Sequence, residues 1–489
     1  MVDKMSMSHA LLFVIIISMA QLCAQAGIGQ TLAISREMGA TFGVTNTRNL
    51  IWALAGYSLA IGSFLLIAGR LGDIYGHKKI FLAGFVWSAL WSAVSGAAFY
   101  SAYPLFVFSR VFHGLGVAAS IPNGFALIGV AYRPGKQKAM AFTFIAMMGP
   151  VGIALGSVSA SLLASVWWPV TYWASTGILL VIAGLGQLII PKLTQEDELP
   201  GSITAIIKEL DLPGAITGTS ALVLISFAWN QAPLVGWKEP HLWIALILGT
   251  LLVVLFGLIE SYYAPKPLIP FYVLKFDVCL ILIAGACGWS CFGIWALYTW
   301  QFVENIRGVS PLLAAAYLSP CIIVGCLATL SMSLVLHRFG ALIIVSFSLL
   351  SFTLGSALAV TMPAVQSYWS QLFISVIVVS WAMDTGFPIT ALTISNVAKI
   401  KDQGIAASLV STAMNYSVSI GLGISRTIES YANRSGISIE NKLIGYRAAL
   451  YTALGLAGLG TLICFAFLLQ TLLRERVKLF RRREVTEGK

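Results

Sequence analysis

The sequence is dominated by apolar runs, each closed by glycine, proline or charged residues. In helical form, roughly 20 such residues cross a hydrocarbon core about 30 Å thick. Of the 489 residues, 58% are hydrophobic and only 10% are charged, so lipid rather than water must solvate most of the surface. The sequence therefore predicts an all-α integral membrane protein.

The glycine, proline and charged residues between the apolar runs predict fourteen transmembrane helices. The first run, from Leu11 to about Ile34, is too long for a signal-peptide core and lacks a convincing cleavage site, so we interpret it as a retained helix. The predicted helices lie near 10–34, 48–69, 80–100, 103–131, 141–164, 167–190, 212–229, 242–263, 278–302, 310–335, 341–361, 367–395, 404–430 and 446–473.

A charged linker at 191–213 divides these helices. We predict an N-terminal six-helix bundle at 1–190, a cytoplasmic linker at 191–211, an inserted helix pair at 212–263, a C-terminal six-helix bundle at 264–473 and a basic cytoplasmic tail at 474–489. Transporters built from two such halves bind solute between them near the bilayer midplane.

Lysine and arginine are concentrated in alternate loops and in the tail. The positive-inside rule then places both termini in the cytoplasm. The same topology puts Asn433-Arg434-Ser435, an N-glycosylation acceptor pattern, in the last outer loop, with a chance match as the alternative.

The composition argues against several other classes of protein. The net charge of +11 is not accompanied by a nucleic-acid motif, so no nucleic-acid partner is expected. The seven cysteines lie in apolar runs, which argues against a disulfide framework or a metal site, and the five histidines are dispersed. We expect no cofactor and no enzyme activity, and we keep a membrane-embedded enzyme or a receptor as the non-transport alternative.

The segment after the second predicted helix combines glycines with one acid and several bases. The glycines allow two helix ends to approach closely, Asp73 can face a positive helix N-terminus, and the bases suit the negative membrane face. The residues assigned to this loop are Gly69, Arg70, Gly72, Asp73, Gly76, Lys78 and Lys79. A turn of purely structural value is the alternative.

Two charged residues fall inside predicted spans. A cation there costs at least about 2.5 kcal/mol, so Arg110 needs a compensating partner or a wet cavity, unless it extends to the membrane face. Asp384 lies near the middle of its span, where a carboxyl can bind and release a proton or hydrogen-bond a kinked backbone. Arg426 with Glu429, and separately Glu260, are predicted to be interfacial.

The fifth predicted helix contains Gly149, Pro150, Gly152 and Gly156, a proline bend with small residues that also suits ordinary close packing.

Polar side chains of other helices form, as a set, a candidate substrate cavity. Its members are Gln21, Gln25, Asn123, Asn230, Gln231, Trp300, Gln301, Asn415 and Tyr416. Aromatic faces beside them can hold an organic ring or a cation, whereas interhelical hydrogen bonding can explain any single member.

These motifs resemble those of the major facilitator superfamily. The G-x-L-x-D-x-x-G-x-K-K pattern from Gly69 to Lys79 is similar to its signature loop, although Ile74 stands where a basic residue is usual. The stretch around Arg110 resembles its fourth-helix motif, and the fifth helix resembles the antiporter motif of drug:proton exchangers. The resemblance implies the major facilitator fold, a conformational latch at Asp73, a role for Arg110 in proton coupling, and antiport.

Nearly the whole chain resembles the fourteen-helix drug:proton antiporter family. Segments 228–231, 235–237, 298–302 and 415–423 resemble its fungal branch of aminotriazole-resistance and boron exporters and a low-affinity ammonium transporter. The resemblance implies proton-coupled efflux of a small toxic solute, drug or metabolite, with ammonium movement as the alternative. The implied partners are a small-molecule or ion substrate, protons and the lipid bilayer. We expect a monomer in the plasma membrane, with a vacuolar-type membrane as the second choice.

Overall fold

The computed structural model describes residues 6–44, 50, 52–133, 136–191, 209–265, 267–269, 272, 274–397, 403–433 and 438–487. Every regular element in these residues is helical. The described residues form fourteen long helices: α1 (Met7–Ala33), α2 (Trp52–Tyr75), α3 (His77–Ala97), α4 (Tyr103–Ala131), α5 (Lys136–Trp167), α6 (Pro169–Ile189), α7 (Leu212–Val235), α8 (Pro240–Leu258), α9 (Phe276–Gln301), α10 (Pro320–Phe339), α11 (Ala341–Val360), α12 (Gln371–Val397), α13 (Gln403–Ala432) and α14 (Ile439–Glu487). Short helices at Ser35–Thr41 and Pro311–Leu318 precede α2 and α10.

Within the described residues, thirteen helices are long and apolar enough to cross a membrane, in agreement with the predicted membrane fold. The long helix outside this set is α13, whose apolar sequence contains hydroxyl and charged side chains. Several of these side chains are buried, including Ser411, Ser419, Arg426 and Glu429. They are hidden because α13 packs against α2, α7, α9 and α14.

The predicted loop between the second and third helices is mostly helical, so its predicted start near residue 69 is wrong. Helix α2 continues to Tyr75, α3 begins at His77, and Gly76 joins them with a φ of 94°. Glycine adopts this conformation at little steric cost. The earlier glycines provide space instead of a turn, since a Cβ at Gly69 would lie 2.7 Å from Ser408 Oγ and one at Gly72 would overlap Asn123.

The bundle has two ends, which we name by residues found there. The Gly76 end carries the α2–α3 junction, and the Glu304 end carries the turn Phe302–Ile306 after α9. Helix α7 runs from the Gly76 end to the Glu304 end. Arg70 Nε at the Gly76 end donates to the Glu209 carbonyl at 3.0 Å, and Trp52 Nε1 at the opposite end of α2 donates to Gln231 Oε1 at 3.2 Å.

Small residues allow close helix contacts through the bundle. Gly152 and Gly156 of α5 face backbone carbonyls of α1, and Gly62 of α2 faces the Tyr416 backbone of α13. Such contacts matter in lipid because the hydrophobic effect does not drive one apolar helix against another. Hydrogen bonds add to them, as where the Ser226 and Ser419 hydroxyls meet at 2.7 Å between α7 and α13.

We expect Gly156→Ala to destabilise the protein by about 1–3 kcal/mol, because the added methyl group would overpack a tight helix interface. A Cβ at this position would lie 2.6 Å from Ala26 Cα. The apparent melting temperature of the purified protein in detergent measures the effect. Gly184→Ala is the matched control, since a Cβ there would meet nothing within 4 Å. Equal melting temperatures for the two variants would contradict this packing.

Candidate functional site

A polar crevice lies where the middles of α1, α5, α9, α12 and α13 meet. It consists of two narrow cavities of about 20 Å³ each, which share Gln21, Gln25, Trp289 and Phe387. Gly149 and Asp384 also line the first cavity, and Asn415 lines the second. Space of this size accommodates a single water molecule. The crevice is therefore narrow in this structure, and five predicted site residues lie around it.

Asp384 is the charged residue of this crevice. Its side chain is 3% exposed, and Oδ2 has no hydrogen-bond partner among the described residues. A Cβ at Gly325 of α10 would overlap both this oxygen and the Pro150 ring, so the absence of a side chain there lets the two approach. The carboxyl therefore lies where the proline of the fifth-helix motif meets α10 and α12. An unmet buried acceptor costs about 1–3 kcal/mol, which favours a functional reason for its presence.

Arg110 is fully buried on α4 and its charge is compensated by neighbours other than a carboxylate. Nη2 donates to the Gly27 carbonyl of α1 at 2.7 Å, and Nη1 donates to His113 Nδ1 at 3.1 Å. The guanidinium also lies 4.3 Å from the ring centroid of Tyr57, a cation–π contact. Among the described residues it forms no ion pair. Arg110 does not line the mid-depth crevice, but it holds α1, which carries Gln21 and Gln25.

His113 is a functional candidate that the sequence prediction missed. It is 3% exposed, and its ring packs edge-on against Tyr57 at 5.6 Å. Since Nδ1 accepts from Arg110, this nitrogen carries no proton in the structure. The spacing of three residues on one helix face was the available signal, because i and i+3 side chains are neighbours.

The residues of the signature motif meet at the Gly76 end. Asp73 lies 3.9 Å from Arg70 Nη1 and 3.5 Å from His77 Nε2. Lys78 Nζ donates to the carbonyls of Gln187 and Ile190 at the end of α6. Lys79 is exposed in the first turn of α3. The motif therefore joins the ends of α2, α3 and α6.

Asn123 belongs to this same end. Its Nδ2 donates to the Ala68 carbonyl at 3.0 Å, and its Oδ1 accepts from His77 Nδ1 at 2.8 Å. The side chain holds α4 to the α2–α3 junction and does not line the crevice around Asp384.

Three further members of the predicted cavity set lie between α7 and its neighbours. Asn230 Nδ2 donates to the carbonyls of Ser226 and Ser419, and the Tyr416 hydroxyl donates to the Leu222 carbonyl at 3.0 Å. Gln231 accepts from Trp52, as described above. These side chains join α7 to α2 and α13.

The remaining two members, Trp300 and Gln301, line a larger cavity of about 300 Å³ at the Glu304 end. Glu304 and Arg426 also line it, and the sequence prediction missed Glu304. Arg426 pairs with Glu429 at 3.9 Å, but both are buried in the protein, at 3% and 6% exposure.

Two other predicted positions are more enclosed than expected. Glu260 was expected at the interface, but it is 3% exposed and accepts hydrogen bonds from the backbone N–H groups of Leu268 and Ile269 at 3.2 Å. Asn433 is 8% exposed at the Glu304 end, and the rest of its acceptor pattern lies outside the described residues.

Sequence comparison identifies the family. Residues 11–357 match the Major Facilitator Superfamily. The chain belongs to this superfamily. Its fold agrees, since the human organic anion transporter MFSD10 (TETRAN) superposes with a TM-score of 0.65 at 12% identity, covering 93% of this chain and 99% of the other.

Several relatives within the superfamily come from fungi. A low affinity ammonium transporter of Saccharomyces cerevisiae is 41% identical, covering 97% of this chain and 92% of the relative. The efflux pump terJ of Aspergillus terreus is 39% identical, covering 95% and 89%. The aminotriazole resistance protein of S. cerevisiae is 33% identical, covering 95% and 85%. The predicted family is confirmed, and this member of the superfamily is a secondary transporter.

We expect His113→Leu to lower the apparent melting temperature of this transporter, whereas His113→Gln retains most of the stability. Leucine leaves a buried guanidinium donor without its acceptor, a loss of about 1–3 kcal/mol, but the glutamine amide oxygen can accept. Thermal unfolding of both purified variants in detergent tests this. Equal melting temperatures would show that His113 does not hold Arg110.

Proposed function

We propose that this transporter exports a small toxic solute, drug or metabolite in exchange for protons by alternating access, with Asp384 carrying the proton. The observation that supports it is the position of the unpartnered Asp384 Oδ2 against Pro150 and Gly325. A proton on this oxygen changes the charge at the contact of α5, α10 and α12. Loading or unloading it can therefore favour one packing of these helices over another.

The solute would occupy the crevice next to this carboxyl. Gln21, Gln25 and Asn415 supply hydrogen-bonding groups, and Trp289 and Phe387 supply aromatic faces. Gln25 Oε1 is buried without a partner among the described residues, so it is available to a donor on the solute. Because Asp384 lines the same space, a solute and a proton would compete for it, as antiport requires.

The Gly76 end would face the cytoplasm under the positive-inside rule. Asp73, paired there with Arg70 and His77, would act as the latch that opens in the other state of the cycle. The division into bundles at 1–190 and 264–473, with an inserted pair at 212–263, is part of this proposal. So are the plasma-membrane location and the monomeric state.

We expect Asp384→Asn to reach the membrane but to lose at least about tenfold of the resistance that the wild type gives to a transporter-depleted yeast. Asparagine keeps the shape but cannot carry the proton. Growth is measured across borate, aminotriazole and antifungals, and efflux is measured with and without an imposed pH gradient. Asp277→Asn, an exposed carboxyl at the start of α9, is the matched control. Unaltered gradient-driven efflux in Asp384→Asn would contradict the proposal that Asp384 carries the proton.

Low-affinity ammonium movement is the second candidate, favoured by the 41% identity to the yeast ammonium transporter. In that case, a strain lacking its own ammonium carriers would regain growth on limiting ammonium when it expresses this chain, and would become more sensitive to methylammonium. An empty vector is the control. Resistance to a toxicant without either ammonium phenotype would exclude this candidate in favour of export.

A further inference from the structure

The cavity at the Glu304 end is separate from the crevice around Asp384. Its wall comes from α1, the short helix Ser35–Thr41, α2, α9 and α13, and it shares no lining residue with the two mid-depth cavities. Thr31 and Trp300 are buried in it, whereas Arg36 and Ala40 are exposed. The cavity therefore reaches the surface of the bundle at this end. Its volume of about 300 Å³ is that of a small-molecule site.

One of the two buried charges in this cavity is met inside the protein. Arg426 is 3% exposed and lies 3.9 Å from Glu429. Glu429 in turn accepts a hydrogen bond from the Tyr298 hydroxyl at 2.8 Å. The Arg426 charge is therefore balanced by Glu429, although its Nε has no hydrogen-bond partner among the described residues.

The other buried charge is only partly met. Glu304 is 4% exposed, and its Oε1 has no hydrogen-bond partner among the described residues, although the Trp300 side chain acts on the carboxyl. No basic side chain of the described residues lies within ion-pair distance of it. Arg36 acts on it electrostatically but is itself exposed to solvent, next to Glu37. The cavity therefore lacks a cationic hydrogen-bond donor at Glu304.

The surroundings of Glu304 match an amine with a short apolar part. Trp300, one helical turn before it on α9, offers an aromatic ring that attracts a cation. Leu32, Leu54 and Leu297 provide apolar wall. Arg36 and Arg426 also line the cavity, but an anion placed beside Glu304 would be repelled by its carboxylate, and an uncharged ligand would leave that carboxylate unpaired.

We propose that this cavity is a second binding site, specific for small organic amine cations, in which the Glu304 carboxylate accepts the ammonium hydrogens and Trp300 contacts the cation. A charge-assisted hydrogen bond to a buried carboxylate is among the stronger polar contacts available. The site does not depend on proton carriage by Asp384, since the two carboxyls lie in different cavities.

Calorimetric titration of the purified full-length protein with n-butylammonium tests the proposal, with n-butanol and butyrate as uncharged and anionic comparators. We expect saturable binding of the ammonium alone. Glu304→Gln should weaken it at least tenfold, whereas Asp384→Asn and Glu440→Gln, an exposed carboxyl at the start of α14, should leave it unchanged. Leu54→Phe, which fills the cavity from α2 without altering a charge, should also abolish binding and serves if Glu304→Gln does not fold.

Three outcomes would overturn the proposal. The first is no saturable binding of n-butylammonium, and the second is equal binding of butanol or butyrate. The third is loss of binding in Asp384→Asn with retention in both Glu304→Gln and Leu54→Phe, which would assign the amine to the mid-depth crevice.

Discussion

A polar group between helices in a bilayer must find its partner within the protein, because lipid supplies none. Arg110 shows how this bundle meets most of that constraint, although its Nε has no hydrogen-bond partner among the described residues. Its guanidinium reaches the Gly27 carbonyl, His113 and the face of Tyr57 without a carboxylate. A Cβ at Gly27 would lie 2.7 Å from the Tyr57 hydroxyl, so the glycine makes the arrangement possible. The same packing thus brings the helices close together and supplies hydrogen-bond partners for Arg110.

The same constraint applies to buried polar groups that lack a hydrogen-bond partner. Asp384 Oδ2 and Glu304 Oε1 are both buried without a hydrogen-bond partner among the described residues, and each lines a cavity. One cavity is narrow and lies at mid-depth, and the other is larger and lies at the Glu304 end. A ligand or a proton that meets these oxygens supplies what the protein does not. In the two proposals made above, these carboxyls are two separate places at which charge would bind.

The Gly76 end connects the motif residues to the rest of the fold. Arg70 contacts Asp73 on its own helix and also the Glu209 carbonyl just before α7. Asn123 adds α4 to the same junction. Arg70 therefore links α2 to the segment just before α7, and α7 packs on α13 through Ser226 and Ser419. The helix pair that begins with α7 is thus physically tied to the motif.

The sequence alone determined the membrane fold and the family, because apolar runs of a set length and short glycine-rich motifs are local signals. It also identified Asp384 and Arg110, since charge inside an apolar run is visible without a structure. Only the tertiary structure showed that Gln21, Gln25, Asp384 and Asn415 share a crevice whereas Asn123 and Asn230 hold helices together. It also revealed His113 and Glu304, because the partners that define their roles lie on other helices or depend on burial. Whether a polar side chain has a hydrogen-bond partner depends on contacts between distant segments. Spacing along the chain does not encode these contacts.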